Sequence, residues 1–497
     1  MKDTQHPHMQ IKLRGFSAMG FEEYFDTHFG KKVAVCGIGV SNIPLIRILC
    51  DRGIEVEARD RKSEDELGET ATLIKDMGAK LICGPGYLES IDADIIYRSP
   101  GMRHDLIQFE RAVQNGAVLT SEMEAFFEVC PCNIIGVTGS DGKSTTSTVI
   151  AKMLEKAGYR TWLGGNIGMP LLDKVPDMKS EDYVVLELSS FQLMTMRNSP
   201  YIAVVTNVTP NHLDVHKDMD EYVAAKRNIF SFRTTGGKTV LNWDNLTTRN
   251  YALSVKGPVY FFSSKESHDQ ICMTSEKIGM TECDRISTVT LLENVITINT
   301  GKNKEPEYIV DISDIKLPGM HNVENYMAAV AAVYGIVSNG DIVNTARTFE
   351  GVEHRIEFVG EYSGIRYYND SIASSPTRTI AGLKAFSQKV ILIAGGYDKQ
   401  LSYQPLAQVV PSHVKALVLM GATKKKIRAA VEKLPECADL PIYEANTLEE
   451  AVLSARGMAK EGDIVLFSPA SASFDMFANF EERGKAFKNI VKKFSQL

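Results

Sequence analysis

The chain has 497 residues, 44% of them hydrophobic and 24% charged, and its formal net charge at pH 7 is −7. This length suits about three domains of ~150 residues, and the negative charge argues against a polyanion such as nucleic acid as the main partner. No stretch approaches the ~18 uninterrupted apolar residues of a membrane span, and the scattered cysteines, with only Cys130 and Cys132 close together, are typical of reduced core thiols. We therefore expect a soluble cytoplasmic protein with neither a nucleic-acid nor a membrane partner.

The first predicted elements are a strand, a glycine turn and a helix. Residues 33–36 form a short apolar run, residues 37–39 read Gly-Ile-Gly, and residues 43–49 have the apolar spacing of a helix. Asp60 ends the next strand-like run. This layout is typical of a dinucleotide-type fold, in which glycines admit a phosphate and an acid binds a ribose hydroxyl. Asn42 stands at the third glycine position, which leaves both a nicotinamide cofactor and another nucleotide-like ligand open.

The segment NIIGVTGSDGKSTTSTVIA predicts a phosphate-binding loop between a strand and a helix. Residues 133–138 are a buried-strand run, residues 139–142 form a turn of backbone amides, and helical spacing begins at Lys143. A helix start offers unpaired N–H groups to an anion, Lys143 adds a cation for the outer phosphates, and the hydroxyl of Ser144 or Thr145 can bind magnesium. A glycine turn with a surface lysine is the alternative, but it does not explain three hydroxyls in a row after the lysine.

Two later segments contain candidate metal ligands. Glu187 lies late in the apolar strand of VVLELSSFQL, where a charge costs several kcal/mol unless it is paired or bound to a metal. Either a neighbouring Lys or Arg, or magnesium shared with Ser144, would explain it. In NVTPNHLDVHKDMDEYVAAK, spacing alone predicts that Lys226 is a solvated helix lysine, and His212 is as consistent with capping as with catalysis.

The rest of the chain favours further α/β structure. Asn322 and Asn325 near the start of an alanine-rich helix fit either adenine recognition or helix capping. From about residue 351, strands that each end in Gly, Ser or Asp alternate with helical stretches, which predicts a parallel sheet. We expect three α/β domains: a Rossmann-like domain at residues 1–121, a P-loop ATPase-like domain with a parallel sheet at residues 122–350, and a second Rossmann-like domain at residues 351–497.

Taken together, the motifs resemble those of the Mur ligases from about Lys31 to the C-terminus. They are, in order, GVTGSDGKSTT, GGNIGMPL, VVLELSSFQL, NVTPNHLD, YVAAK, GMHNVENYMAA, EHRIE, YNDS, GGYDK and SPASASFDMF. VVLELSSFQL and SPASASFDMFANFEERG resemble the members that add D-glutamate, and the DNPR-type sequence of the diamino-acid-adding members is missing. The resemblance implies an ATP- and magnesium-dependent ligase of cytoplasmic peptidoglycan synthesis. It would add D-glutamate to UDP-N-acetylmuramoyl-L-alanine through an acyl phosphate, as a monomer.

The same resemblance assigns roles to individual residues. Catalysis is implied for Lys143, Glu187, His212 and Lys226. One magnesium ion is implied between Ser144 and Glu187, and a second near His212 and Lys226, the last as a carbamylated lysine. ATP contacts are implied for Gly139, Ser140, Asp141, Gly142, Lys143, Ser144, Thr145, Asn322, Asn325, Arg355 and Asp370, with His354 beside them. Contacts with the UDP-linked substrate are implied for Val40, Ser41, Asp60, Arg61, Lys62, Gly101, Asn166, Ser189 and His212. Contacts with D-glutamate are implied for Ser374, Lys399, Ser473, Phe474 and Phe480.

Two departures from the family pattern and three rival functions bear on this interpretation. Asp141 replaces the more usual Asn and places a negative charge beside the phosphates, and Ile372 replaces a Lys, so the D-glutamate site depends more on Lys399.

A folylpolyglutamate synthase or another amide ligase is one rival, although the folate enzyme lacks the N-terminal glycine-turn domain. The others are a non-catalytic nucleotide-binding regulator, which intact Lys143, Glu187, His212 and Lys226 oppose, and a nicotinamide oxidoreductase, which rests on the first glycine turn alone.

Overall fold

A computed structural model describes residues 19–167, 169–211, 215–233, 236–280, 286–301, 304–317, 319–398 and 401–496. The chain divides into two compact units, residues 1–349 and residues 350–497. The first unit contains two β-sheets and the second contains one. Within the described ranges, no helix is both long and apolar enough to cross a membrane.

The first sheet has five parallel strands in the order β3-β2-β1-β4-β5. This is the order of the first five strands of a dinucleotide-binding fold, with the crevice at the carboxyl ends of β1 and β4. Its strands are β1 Lys32–Cys36, β2 Glu55–Asp60, β3 Lys80–Cys83, β4 Ile95–Arg98 and β5 Val118–Thr120. Its helices are α1 Phe21–Asp26, α2 Asn42–Asp51, α3 Glu64–Leu67, α4 Glu69–Asp76, α5 Ile107–Gln114 and α6 Glu122–Val129.

The second sheet has nine strands in the order β14-β13-β12-β11-β10-β9-β6-β8-β7. Its strands are β6 Asn133–Thr138, β7 Thr161–Gly165, β8 Tyr183–Glu187, β9 Ile202–Val205, β10 Lys238–Asn242, β11 Val259–Ser263, β12 Ile286–Leu292, β13 Val295–Asn299 and β14 Glu307–Asp311. Its helices are α7 Lys143–Lys156, α8 Ser190–Leu193, α9 Met219–Ser231, α10 Leu246–Tyr251, α11 His268–Lys277, α12 Met320–Val333 and α13 Asn339–Thr348. Strand β6 pairs with β8 and β9, so the loop that follows β6 lies between the ends of those two strands.

Strands β12, β13 and β14 form an antiparallel edge on this otherwise parallel sheet. A two-residue turn of Glu293 and Asn294, both with positive φ (49° and 69°), joins β12 to β13. Such turns match the right-handed twist of the paired strands, and Asn tolerates the left-handed conformation well. The sequence predicted a parallel central sheet without this edge, because a hairpin is specified by a turn that single-strand patterns do not show.

The unit of residues 350–497 contains a six-stranded sheet in the order β15-β16-β20-β17-β18-β19, parallel except for the β15–β16 pair. Its strands are β15 Glu357–Tyr362, β16 Ile365–Asn369, β17 Val390–Gly395, β18 Val414–Met420, β19 Ile442–Glu444 and β20 Ile464–Phe467. Its helices are α14 Pro376–Leu383, α15 Gln404–His413, α16 Lys424–Val431, α17 Leu448–Met458 and α18 Phe480–Lys492. Separate apolar clusters cover the two faces of the sheet. Short 3₁₀ helices in the described chain are Leu172–Asp177, Ala252–Ser254, Ile312–Asp314, Pro435–Cys437 and Lys493–Gln496.

The three sheets, each mainly parallel and packed against helices, confirm the predicted α/β class. Their central strands are buried along their length, as the continuous apolar runs indicated. The domain boundaries near residues 121 and 350 stay predictions.

Candidate active site

The loop between β6 and α7 has the shape that its glycines require. Gly139 has φ 154° and Gly142 has φ 80°, and helix α7 begins directly after Gly142. A Cβ on Gly139 would lie 1.9 Å from Thr206 Oγ1, and a Cβ on Gly142 would lie 2.3 Å from Asn325 Oδ1. Since both contacts are far shorter than van der Waals contact, and φ 80° disfavours a side chain, only glycine fits at these positions.

Neighbouring elements hold this loop in place. The Ser140 amide donates to Asn207 O (2.9 Å), and the Asp141 amide donates to Asn207 Oδ1 (2.9 Å). The Ser140 hydroxyl shares a 2.9 Å hydrogen bond with Tyr222 OH and donates to Thr209 O at 2.9 Å. The segment that follows β9 and the start of α9 therefore fix the conformation of the loop.

Lys143 lies folded over the loop. Its Nζ donates to Gly139 O (3.0 Å) and Ser140 O (2.9 Å). The next side chain, Ser144, is buried in the first turn of α7. The N-terminus of α7 therefore carries a cation and a hydroxyl, which together suit a bound polyphosphate.

Glu187 ends β8 beside the loop and is only 2% exposed. Its Oε1 accepts a 2.8 Å hydrogen bond from Asn166 Nδ2, whereas Oε2 is buried and has no hydrogen-bond partner in the described part of the chain. A buried carboxylate oxygen without a partner is costly in a folded protein. Carboxylate oxygens are preferred ligands of magnesium, so this residue fits the metal role predicted for it.

The expectation of a solvated Lys226, based on spacing alone, is wrong. Lys226 is 2% exposed and its Nζ donates to Gly139 O at 2.8 Å, with the Tyr222 ring centroid 4.7 Å away. Burial, and secondarily the charge of Lys143, lowers the pKa of Lys226 well below its usual value. Helix α9 covers the phosphate loop, so a lysine on its inner face points at the site instead of at solvent.

Asn325 and Asn322 lie on α12, which packs against α7. Asn325 Oδ1 accepts from Thr146 Oγ1 (3.3 Å), and Asn325 Nδ2 donates to Asn322 Oδ1 (3.3 Å). The two predicted adenine residues thus lie together, and Asn325 also borders Gly142. No group of three or more His, Cys, Asp or Glu arranged for a metal occurs among the residues described, so a magnesium site here would need hydroxyl or other oxygen ligands as well.

Two predicted site residues, His212 and Lys399, lie outside the described residues. Of the other predicted substrate residues in this sheet, Asn166 reaches Glu187, and Ser189 caps α8 by accepting from the Gln192 amide (3.2 Å).

In the first sheet, the predicted UDP residues gather on the loops that follow β1, β2 and β4. Asp60 Oδ2 accepts from the Ile38 amide (2.7 Å) and Asp60 Oδ1 from the Lys62 amide (2.9 Å), so this carboxylate braces the glycine turn. Asn42 Nδ2 donates to Gly37 O at 2.8 Å and closes the turn from the helix side. Val40, Ser41, Arg61 and Gly101 lie on the same carboxyl-end loops.

Asp370 follows β16 and is 3% exposed. Its Oδ2 accepts from Ser468 Oγ (2.7 Å) and its Oδ1 from the Ile356 amide (3.3 Å). Burial raises the pKa of Asp370 to about 7, although the Ser468 hydrogen bond and the charge of Arg355 oppose the increase. His354, with φ 65°, shares a 2.9 Å hydrogen bond with Asn369 directly before Asp370.

The predicted D-glutamate residues Ser374, Ser473, Phe474 and Phe480 lie after β16 and β20 of the same unit. Ser473 is buried, whereas Phe474 is exposed. Arg483, which the sequence analysis missed, is buried and donates to Ser371 O (2.8 Å) and Ala472 O (2.8 Å), so it joins the two loops.

Comparison with known proteins gives the family. Residues 137–333 match the Mur ligase middle domain, and residues 354–471 match the Mur ligase glutamate ligase domain. A UDP-N-acetylmuramoylalanine--D-glutamate ligase of Acetivibrio thermocellus is 51% identical over 466 residues, which cover 93% of this chain and 96% of that protein. The chain belongs to the Mur ligase family. Proteins with the same printed name from Clostridium kluyveri (50% over 464 residues, 93% and 96% covered) and Clostridium novyi (48% over 474 residues, 95% and 98% covered) are similar to this Mur ligase throughout.

Solved structures agree with this Mur ligase in fold. The UDP-N-acetylmuramate-alanine ligase MurC of Thermotoga maritima superposes with a TM-score of 0.52 at 18% identity, covering 94% of this chain and 99% of that one. A pseudomurein peptide ligase type C of Methanothermus fervidus gives 0.50 at 18% identity, covering 93% and 99%. The family matches and the relatives at about half identity confirm the resemblance stated from the motifs.

His216 of this Mur ligase is a further residue that the sequence analysis missed. It is buried, its ring stacks on Phe191 at 5.2 Å, its Nε2 lies 2.9 Å from Ser190 Oγ, and its Nδ1 lies 3.3 Å from Glu221 Oε2. Burial lowers its pKa. Sequence spacing did not single it out, because it does not show that a loop histidine packs against a distant ring such as Phe191.

Proposed function

We propose that this Mur ligase joins D-glutamate to UDP-N-acetylmuramoyl-L-alanine and converts ATP to ADP and phosphate. The relatives named for this reaction are matched over nearly their whole length at about half identity. The observation that supports the chemistry best is the arrangement around the phosphate loop. The buried Lys226 donates a hydrogen bond to Gly139 O in that loop. The buried carboxylate of Glu187 lies at the end of the adjacent strand.

The reaction proceeds in two steps. The alanyl carboxylate oxygen bonds to the γ-phosphorus of ATP as the bond to the β-phosphate oxygen breaks, which gives an acyl phosphate and ADP. The D-glutamate nitrogen then attacks the acyl carbon, loses a proton, and displaces inorganic phosphate to leave the amide. Catalysis of phosphoryl transfer is mainly positioning and charge neutralisation. Lys143 neutralises charge when its Nζ donates to phosphate oxygens in place of the carbonyls of Gly139 and Ser140.

Glu187 and Ser144 would hold one magnesium ion, and His212 with a carbamate on Lys226 would hold a second. The ions would supply positive charge to the phosphoryl oxygens. Burial favours the neutral amine of Lys226, and a neutral amine adds carbon dioxide to give a carbamate with release of one proton. The carbamate changes Lys226 from a cation into an oxygen ligand.

The other assignments extend the same proposal. Asn322 and Asn325 recognise adenine, Asp370 accepts from the ribose hydroxyls, and Arg355 contacts the nucleotide. The carboxyl-end loops of the first sheet bind the UDP moiety. Ser374, Lys399, Ser473, Phe474 and Phe480 bind D-glutamate. We place the reaction in the cytoplasm and the enzyme as a monomer.

The direct test is ATP-dependent phosphate release with UDP-N-acetylmuramoyl-L-alanine and a panel of amino acids. We expect turnover with D-glutamate, much less with L-glutamate, and a product whose mass equals both substrates less one water. Turnover with another amino acid but not with D-glutamate would contradict the proposal. Lys143→Ala should lower turnover by about 10³-fold or more, whereas Lys152→Ala, on the exposed side of the same helix, should leave it unchanged.

The carbamate is tested separately from activity. With ¹³C-labelled bicarbonate, the wild-type enzyme should show a carbamate carbon signal that Lys226→Ala lacks and Lys152→Ala retains. An unchanged spectrum in Lys226→Ala would place the carbamate elsewhere or rule it out.

A further inference from the structure

The loop after β4 is attached to the nine-stranded sheet's helices through Arg98. This residue ends β4 and is 1% exposed. One side of its guanidinium donates to Met102 O (2.9 Å) and shapes the loop that contains Gly101, while the other donates to Thr195 Oγ1 (2.7 Å), just after α8. We call this loop, residues 99–106, the UDP loop. Arg98 therefore fixes the start of the UDP loop to the segment after α8.

Arg103, at the end of the same loop, makes a second attachment. Its guanidinium binds both oxygens of Asp105 (2.7 and 2.9 Å) and both oxygens of Glu221 (2.8 and 3.0 Å), and it donates to Val215 O at 2.7 Å. Lys217 adds a 2.8 Å ion pair to Asp105. Paired two-point contacts of this kind fix orientation as well as distance.

Glu221 continues this connection to the phosphate loop. It lies in the first turn of α9, its Oε2 is 3.3 Å from His216 Nδ1, and the next residue is Tyr222. The Tyr222 hydroxyl bonds Ser140 Oγ, and its ring lies 4.7 Å from Lys226 Nζ. A continuous set of contacts thus links the UDP loop to the residues that would hold the γ-phosphate.

We propose that Arg103 is a positioning residue that sets the distance between the bound UDP-linked substrate and the phosphate loop, through Glu221 and Tyr222. This inference rests on the proposed function, because that reaction needs the alanyl carboxylate in line with a phosphorus held by another sheet. Displacements of about 1 Å can cost ~10²-fold in rate. Without the guanidinium, the carboxylates of Asp105 and Glu221 would lose their shared cation, and the Lys217–Asp105 ion pair would hold the loop to the start of α9 less firmly.

The test compares steady-state kinetics of Arg103→Met, Arg103→Lys, Glu221→Gln and the double variant Arg103→Met/Glu221→Gln with wild type. Arg111→Met, on the exposed surface of α5, is the matched control. We expect kcat to fall at least tenfold in Arg103→Met while KM for D-glutamate stays within twofold, with Arg103→Lys in between. The double variant should be no slower than the slower single variant, because both remove the same link. Arg111→Met should match wild type.

Several outcomes would overturn the inference. A kcat for Arg103→Met within twofold of wild type would do so, as would a double variant whose loss equals the product of the two single losses. If Arg103→Met does not fold, Glu221→Gln and Arg103→Lys replace it in the test. A lower kcat at an unchanged melting temperature would support the proposal, and an unchanged kcat would contradict it. Wild-type enzyme that releases no phosphate with the proposed substrates would instead refute the proposed function.

Discussion

Replacing Asp370 by Asn should stabilise the unit of residues 350–497 above neutral pH and weaken ATP binding. Burial raises the pKa of this carboxyl to about 7, against a pKa of ~3.9 in the unfolded chain. The folded state therefore holds the proton more tightly than the unfolded state. The stability from this group is complete below the unfolded pKa and is lost as pH rises through 7, a total of about 4 kcal/mol by pH 8.

Asn carries no charge, so Asp370→Asn removes this pH-dependent loss. It keeps one acceptor for the Ser468 hydroxyl but presents an amide to the Ile356 N–H, which costs about 2 kcal/mol. Relative to wild type, the free energy of unfolding of Asp370→Asn should therefore be about 2 kcal/mol higher at pH 8 and about 2 kcal/mol lower at pH 4. Loss of the charged acceptor for the ribose hydroxyls should raise KM for ATP roughly tenfold, from ~1.5 kcal/mol per such hydrogen bond.

The assay is urea unfolding of the full chain at pH 4, 6 and 8, with hydrogen exchange of β16 and β20 peptides to locate the effect. The exposed Asp439→Asn variant is the control and should change neither stability nor KM. An Asp370→Asn variant that is less stable than wild type at pH 8, or that shows the same stability profile as wild type from pH 4 to pH 8, would contradict this prediction.

Three further outcomes follow from the structure. Lys143→Ala should lower kcat by about 10³-fold or more, since it removes the cation from a phosphoryl-transfer site; phosphate release measures this. Gly142→Ala forces a side chain into φ 80° and against Asn325 Oδ1, so ATP affinity by calorimetry should fall at least tenfold, an estimate of ~1.4 kcal/mol of backbone strain. Burial lowers the pKa of Lys238 to about 7, so the contribution of this group to the free energy of unfolding rises with pH between 7 and its pKa in the unfolded chain. Lys238→Met loses the hydrogen bond to Tyr334 O. Its free energy of unfolding, measured in urea, should still exceed that of wild type by about 2 kcal/mol at pH 7, and by less at pH 10.

Local chemistry made the phosphate loop predictable from the sequence. A buried strand, glycines at positions of positive φ and a run of hydroxyls all lie within one short segment, so no distant contact was needed to recognise it. The same holds for the glycine turn after β1, where even the departure at Asn42 has a local explanation, because its side chain bonds Gly37 O.

Lys226 and Arg103 show where sequence reasoning ends. The burial of Lys226 depends on which neighbour covers its side of α9, and helical spacing contains no information on that neighbour. Arg103 occupies an ordinary polar loop in sequence, and its partner Glu221 is 118 residues away. Side chains that act across sheets therefore need the tertiary structure, whereas side chains that shape their own loop do not.

The turn at Glu293 and Asn294 is a suitable insertion site for a tag or a label. It joins β12 to β13 at the antiparallel edge, and β11, β10 and β9 separate it from β6. A peptide tag or a fluorescent label inserted there would leave the strands that carry the phosphate loop undisturbed. Surface immobilisation through this hairpin would give a reporter of ligand binding whose attachment point lies away from the chemistry.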